Sequence, residues 1–96
     1  MSKGMDFGEA LDLLRSGRRV ARADWINGFL VLVPGSEFVV TADRPMGKAL
    51  PKSVGERVSY LPHIDFCTHG PGIENTLEVW FPTQTDILAG DWRVLL

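Results

Sequence analysis

The sequence predicts a small α+β protein: an antiparallel β-sheet of about five strands packed around an N-terminal α-helix, with a short C-terminal helix. Three observations predict it. Apolar residues recur at helical spacing near the N-terminus, short apolar segments separated by turn dipeptides follow, and a helix-start signal comes after Trp80. Ninety-six residues suffice for one modest core, so we expect residues 1–96 to form a single domain.

The N-terminal helix has a start and a stop signal. Asp6 and Glu9 form an acidic variant of the capping box, and Gly17 suits a helix C-terminus. Helical spacing places one set of apolar residues on a shared buried face: Phe7, Ala10, Leu11 and Leu14.

The next segments predict strands. Residues 19–23 and 29–33 flank Asn27-Gly28, a dipeptide that favours a tight hairpin turn. Pro34-Gly35 suits a type II turn, after which residues 37–41 are expected to run back as a third strand.

The second half of the chain begins with a long loop. Residues 43–55 show no hydrophobic period, and long loops in small domains are often functional. Turn residues then separate the remaining predicted elements: extended segments at 58–61, 63–68, 73–81 and 91–95, and a short helix at 83–89.

Composition excludes several classes of protein. A net charge of −2 argues against binding polymeric nucleic acid, which requires a basic excess. The single cysteine, Cys67, cannot form an intramolecular disulfide, and no signal peptide is evident, so a cytoplasmic location is expected. The longest apolar run, residues 29–33, is far too short to span a membrane. No dinucleotide-binding or phosphate-loop motif is present, and no cofactor is expected.

Two groups of polar residues suggest site chemistry. His63 and Asp65 stand two apart, so a strand would place both side chains on one face, as in a metal pair or an acid–base dyad. No third ligand is evident nearby, so no metal site is predicted. Arg22 lies just before Asp24-Trp25, where an arginine and an indole could hold a phosphate and a base. Cys67 is expected to be a small core or edge residue.

The three tryptophans are expected to differ in burial. Trp92 is expected in the core, whereas Trp25 and Trp80 stand beside turns and could be partly exposed. Thr83 and Asp86 read as a capped helix start, which favours an anionic ligand.

In order along the chain, a set of motifs resembles the pattern of the Thoeris anti-defence 2 family, small phage and prophage proteins formerly grouped as a domain of unknown function. The motifs are Phe7-Gly8-Glu9-Ala10-Leu11, Val20-Ala21-Arg22 with Trp25, Leu32-Val33-Pro34-Gly35-Ser36, Tyr60-Leu61-Pro62-His63-Ile64-Asp65, and Trp80 with Gln84-Thr85-Asp86-Ile87-Leu88-Ala89 and Asp91-Trp92.

This resemblance implies a molecular sponge. Such proteins sequester cyclic ADP-ribose isomers, the signals of TIR-domain proteins in bacterial Thoeris immunity, without degrading them. Some members also hold cyclic dinucleotides of the CBASS systems. The resemblance further implies a homotetramer with pockets at subunit interfaces, in the bacterial host cytoplasm.

Carried onto this sequence, the resemblance implies a set of ligand-binding residues. Trp25 and Trp80 would stack on bases, and Arg22 would bind phosphate. Asp65 and Asp86 would accept hydrogen bonds from ribose hydroxyls or the adenine amine. The remaining candidates are Gln84, Thr85, His63 and Tyr60.

Two other functions stay open at this point. One is an enzyme that cleaves or modifies the signal, with His63 and Asp65 as acid and base. The other is a protein that blocks an immune effector through its sheet edge or the loop at 43–55.

Overall fold

The computed structural model describes residues 4–96, so the first three residues of the predicted domain lie outside the described residues. In chain order the helices and strands are α1 (Phe7–Arg15), β1 (Arg19–Arg22), β2 (Gly28–Val33), β3 (Ser36–Val39), α2 (Pro45–Ala49), β4 (Arg57–Tyr60), β5 (His63–Gly70), β6 (Ile73–Val79), α3 (Gln84–Leu88) and β7 (Trp92–Leu95), with a 3₁₀ turn at Pro51–Ser53.

The main layer is a five-stranded antiparallel sheet in the order β6-β5-β2-β1-β7. Helix α1 packs against β1, β2 and β7 on one face of this sheet. The predicted α+β class and five-stranded sheet are therefore confirmed. Strands β3 and β4 form a separate two-stranded sheet.

Helix α1 begins and ends where the local sequence predicts. The Asp6 carboxylate accepts a hydrogen bond from the Glu9 N–H at 2.8 Å, and Glu9 accepts one from the Asp6 N–H at 3.3 Å. Gly17 follows the helix with a φ of 88°, a conformation that a side chain would strain. The capping box and the glycine stop are confirmed.

The core lies between α1 and the sheet. Its fully buried cluster contains Ala10, Leu14, Val20, Leu30 and Trp92. Because strand side chains alternate, the residues next to these along β1 and β2 point to the opposite face. We call that side the open face, because α1 does not cover it.

The β1–β2 hairpin forms, but the tight turn predicted at Asn27-Gly28 is wrong. Residues 23–27 make the connection, and Gly28 is already in β2, opposite Thr68 of β5. Glycine is needed there for packing, because a Cβ atom would collide with the Phe66 ring.

The predicted return of the third strand is also wrong. Strand β3 does not run back along β2; it continues away from the main sheet and pairs with β4, with Ser36 opposite Tyr60. Residues 34–62 thus form a projecting hairpin, which we call the arm. The predicted loop at 43–55 lies at its tip and contains α2 and the 3₁₀ turn.

The arm makes the molecule long. Its radius of gyration is 16.4 Å and its longest dimension is 54 Å. A compact domain of this length has a radius of gyration of about 12–13 Å. None of the helices in residues 4–96 is long and apolar enough to cross a membrane.

Candidate functional site: an aromatic pocket beside helix α1

Three tryptophans from distant parts of the chain meet in one aromatic cluster. Trp92 is fully buried, as predicted, and its ring centre lies 5.3 Å from that of Trp25 and 6.0 Å from that of Trp80. Phe7 of α1 packs against two of these rings, with its ring centre 5.4 Å from that of Trp92 and 6.0 Å from that of Trp80. The tilted and edge-on geometries are those that aromatic quadrupoles favour. Part of each ring of Trp25 and Trp80 therefore packs against the core, and both side chains are half-buried.

An open pocket of about 560 Å³ adjoins this cluster. Helix α1 contributes Phe7, Leu11 and Arg15, and the opposite wall includes His63 and Trp80. The volume lies in the range of small-molecule sites. The lining is mostly apolar, and Arg15 is the cation on its rim, with a side chain 66% exposed. This combination suits a ligand with a flat aromatic part and a negative charge.

Sequence reasoning missed the three residues that helix α1 contributes to this pocket. Phe7 and Leu11 were assigned only to the buried helix face, and Arg15 was not among the predicted site residues. Their spacing carries the missing signal: positions 7, 11 and 15 are four apart, so they lie on one side of α1.

Arg22 is held by two carboxylates. Its Nη1 lies 3.0 Å from Asp86 Oδ1, its Nε lies 2.9 Å from Asp91 Oδ1, and its Nη2 lies 3.4 Å from Asp91 Oδ2. A phosphate approaching this guanidinium would meet a cluster of net charge −1. The phosphate role of Arg22 stays a prediction, and Arg22 does not line the pocket. We call Arg22, Asp86 and Asp91 the arginine clamp.

Asp86 also organises the start of α3. Its N–H donates to Thr83 Oγ1 at 3.1 Å, and its Oδ2 accepts from the Thr83 N–H at 3.1 Å. The capping box predicted from Thr83 and Asp86 is therefore confirmed. Trp92 Nε1 donates to the Asp86 carbonyl at 3.0 Å, which ties this helix to the aromatic cluster. Gln84 and Thr85 are exposed on its first turn.

The clamp shifts the ionisation of its members. Hydrogen bonds from Arg22 lower the pKa of Asp91 below its ordinary value. Burial opposes the ionisation of Asp86, but hydrogen bonds from the Thr83 N–H and from Arg22 outweigh it and lower that pKa too. Hydrogen bonds to Asp91 and then Asp86 raise the pKa of Arg22.

These shifts predict an acid-sensitive fold. Because the folded-state pKa values of Asp86 and Asp91 are lowered, their stabilisation is present near neutral pH and is lost as the pH falls below about 4. Asp91→Asn should lower the stability at pH 7 and flatten the loss of stability on acidification. Urea unfolding followed by circular dichroism between pH 3 and pH 7 measures both effects. The control is Asp24→Asn, an exposed aspartate without an ion pair among the described residues; equal slopes for the two variants would contradict the prediction.

His63 and Asp65 do come together, as their spacing predicts. His63 Nε2 lies 3.4 Å from Asp65 Oδ1, and its Nδ1 lies 3.0 Å from the Leu61 carbonyl. Tyr60 meets the imidazole edge-on, with ring centres 4.8 Å apart. Asp65 is buried, and its Oδ1 has no hydrogen-bond partner within the described chain. This oxygen is a buried acceptor, and His63 but not Asp65 lines the pocket.

Cys67 is buried on the open face, in the predicted role of a small packing residue. Burial, and next the charge of Asp65, raise the pKa of its thiol, which disfavours the reactive thiolate. Within residues 4–96, no group of three or more His, Cys, Asp or Glu side chains converges in a way that could hold a metal ion.

The helix-on-sheet fold defines a small α+β protein with an open, largely aromatic and aliphatic pocket between helix and sheet. Comparison with known proteins gives the family. The protein-family model of the Thoeris anti-defense 2-like domain matches residues 5–95 of this chain. The chain is 30% identical to "Thoeris anti-defense 2" of Bacillus phage SP01, over 99% of both chains. The chain therefore belongs to the Thoeris anti-defense 2-like family, which confirms the resemblance seen in its motifs.

Proposed function

We propose that this protein is a sponge that sequesters the cyclic ADP-ribose isomers made by Thoeris TIR proteins and holds them without degrading them. Membership of the Thoeris anti-defense 2-like family supports an anti-Thoeris role. The observation that supports binding of the signal is the pocket of about 560 Å³, which has aromatic residues in its wall and Arg15 on its rim.

The chemistry of such a signal matches the pocket. The adenine base offers a π-face for Trp80, and base–aromatic stacking is worth about 1–3 kcal/mol. The diphosphate offers a negative charge for Arg15 at the rim. His63, on the wall, offers Nε2 to a hydroxyl group, because its Nδ1 already meets the Leu61 carbonyl. CBASS cyclic dinucleotides combine bases and phosphates in the same way and form the second ligand class of this proposal.

The proposal includes a homotetramer in the host cytoplasm. The pocket is open to one side, and a neighbouring subunit could close it over the bound signal. Enclosure raises affinity because a rigid, preformed site loses less freedom on binding. A single chain of this size has few concave surfaces, which favours sites between subunits.

A capture-and-release experiment tests the function. The protein is incubated with TIR-generated signal and filtered, and the retained fraction is heat-denatured and analysed. We expect intact signal in the released fraction. Arg15→Ala should retain about tenfold less, the loss of one charge-assisted contact. Arg18→Ala removes a nearby exposed cation that does not line the pocket and should retain the wild-type amount.

Each alternative function has its own outcome in this experiment. A chemically altered product would indicate an enzyme, with His63 and Asp65 as the first residues to replace. Signal left free in the filtrate would refute both the sponge and the enzyme, and would favour direct inhibition of an immune effector.

A further inference from the structure

His63 stands between two hydrogen-bond acceptors. Its Nδ1 lies 3.0 Å from the Leu61 carbonyl oxygen, and its Nε2 lies 3.4 Å from Asp65 Oδ1. A carbonyl oxygen and an ionised carboxylate can only accept, so each nitrogen meets its neighbour favourably only when it carries a proton. A neutral imidazole has one N–H, whereas the imidazolium has two. The surroundings of the His63 ring therefore fit its charged form.

Asp65 lacks a donor that His63 can supply. Asp65 is 8% exposed, and its Oδ1 is buried without a hydrogen-bond partner among residues 4–96. Within the same residues, the ion-pair contact of Asp65 is the one with His63. Burying a carboxylate is costly unless a cation or a donor faces it. A proton on His63 Nε2 faces this oxygen, and the carboxylate in turn favours the charged imidazole.

The other ionisable groups around this pair are few. Tyr60 of β4 meets the His63 ring edge-on. Arg15 lies across the pocket and would oppose a second positive charge, but its side chain is 66% exposed, so solvent screens it. Burial, and next the charge of Asp65, raise the pKa of the Cys67 thiol, which is neutral near pH 7. The residues that pair with this end of β5 from the neighbouring strands are apolar: Val31, Leu32, Val33 and Val79.

We propose that Asp65 is a positioning residue that keeps His63 protonated, so that the pocket presents two cations, His63 and Arg15, to the diphosphate of the signal. His63 lines the pocket and Asp65 does not, so Asp65 acts through the imidazole. At 3.4 Å their contact is longer than a strong N–H···O bond, which leaves the Nε2–H able to donate to a ligand oxygen. This inference rests on the proposed capture of the signal and assigns the charge of its site.

Nitrogen NMR of the ligand-free protein tests the charge directly. The chain has two histidines, and the exposed His69 serves as an internal reference. The variant His63→Gln assigns the two sets of signals. We expect both His63 nitrogens to keep their protons at a pH where His69 has already lost one. If the two rings lose a proton together in the wild type, the inference is overturned.

The variant Asp65→Asn tests the origin of the charge. A side-chain amide can donate to Nε2 and so favours the neutral ring, and His63 should then lose its proton at a lower pH than in the wild type. Unchanged titration of His63 in a folded Asp65→Asn protein would contradict the role of Asp65. Circular dichroism checks the folding, and if this variant does not fold, the comparison of His63 with His69 in the wild type still decides.

Capture of TIR-generated signal between about pH 5.5 and 8.5, where histidine changes its charge, tests the consequence. Wild-type affinity should fall about tenfold towards the alkaline end, the loss of one charge-assisted contact. Asp65→Asn should show this fall at a lower pH, and His63→Gln should remove it. Asp24→Asn, at an exposed aspartate, should follow the wild type. Wild-type capture without pH dependence, or an equal weakening of Asp65→Asn at every pH, would contradict the proposal.

The two measurements separate this inference from the proposed sponge. A charged His63 in a protein that retains no signal at any pH would refute the sponge alone. Signal retained equally at every pH would refute the role of Asp65 and leave the sponge standing.

Discussion

Replacing Trp92 with alanine is expected to remove a large part of the protein's free energy of unfolding. Trp92 is fully buried at the centre of the core, its backbone pairs with Met5, and its indole donates to the Asp86 carbonyl. Removing a buried tryptophan costs about 3–5 kcal/mol, and a domain has only about 5–15 kcal/mol in total. The Trp92 ring also packs against both Trp25 and Trp80, so its loss removes a packing partner of each. Urea unfolding followed by circular dichroism measures the loss.

Two further variants interpret the Trp92 result. Trp92→Phe keeps most of the ring but loses the hydrogen bond, and should fall between the wild type and Trp92→Ala. Leu88→Ala removes an apolar side chain that is 81% exposed and should leave the midpoint unchanged. A Trp92→Ala protein with the wild-type midpoint would show that the core does not depend on this ring.

Replacing Trp80 with alanine is expected to reduce signal capture strongly while the protein still folds. Trp80 is half-buried and forms part of the pocket wall, so its loss removes a stacking surface worth about 1–3 kcal/mol, or about 5- to 150-fold in affinity. It also packs against Phe7 and Trp92, so some stability should be lost as well. Equilibrium binding of the signal and thermal unfolding, measured on the same sample, separate the two effects.

The neighbouring residue provides a matched control for Trp80. Phe81 is also aromatic, but it is 81% exposed and does not line the pocket, so Phe81→Ala should bind the signal as the wild type does. If Trp80→Ala unfolds, Trp80 belongs to the core. If it folds and binds normally, the stacking role is wrong.

Signals within a few residues predicted the local elements well. The capping pair of Asp6 and Glu9 fixes the start of α1, and that of Thr83 and Asp86 fixes the start of α3. The expected core position of Trp92 is also confirmed. Such features depend on hydrogen bonds and side-chain periodicity that one segment contains in full.

Local signals did not predict which strands pair with each other. The turn signal at Pro34-Gly35 marked a change of direction, but it did not reveal that β3 pairs with β4 and leaves the main sheet. Likewise, Asn27-Gly28 looked like a tight turn, whereas Gly28 is needed to make room for the Phe66 ring. In both cases the deciding contact comes from a strand much later in the chain, β4 for strand β3 and β5 for Gly28.

For the candidate site too, some features were predicted from the sequence and others are seen only in the tertiary structure. The sequence by itself determined the α+β class, the capped helices and the family, because these depend on local patterns and on motifs in fixed order. Only the tertiary structure decided that Arg22 is bound by Asp86 and Asp91, and that Arg15 stands on the pocket rim with Trp80 opposite. The clamp joins residues 64 and 69 positions apart. Residues this far apart in sequence meet only in the folded chain. The sequence alone therefore could not predict which carboxylates bind Arg22.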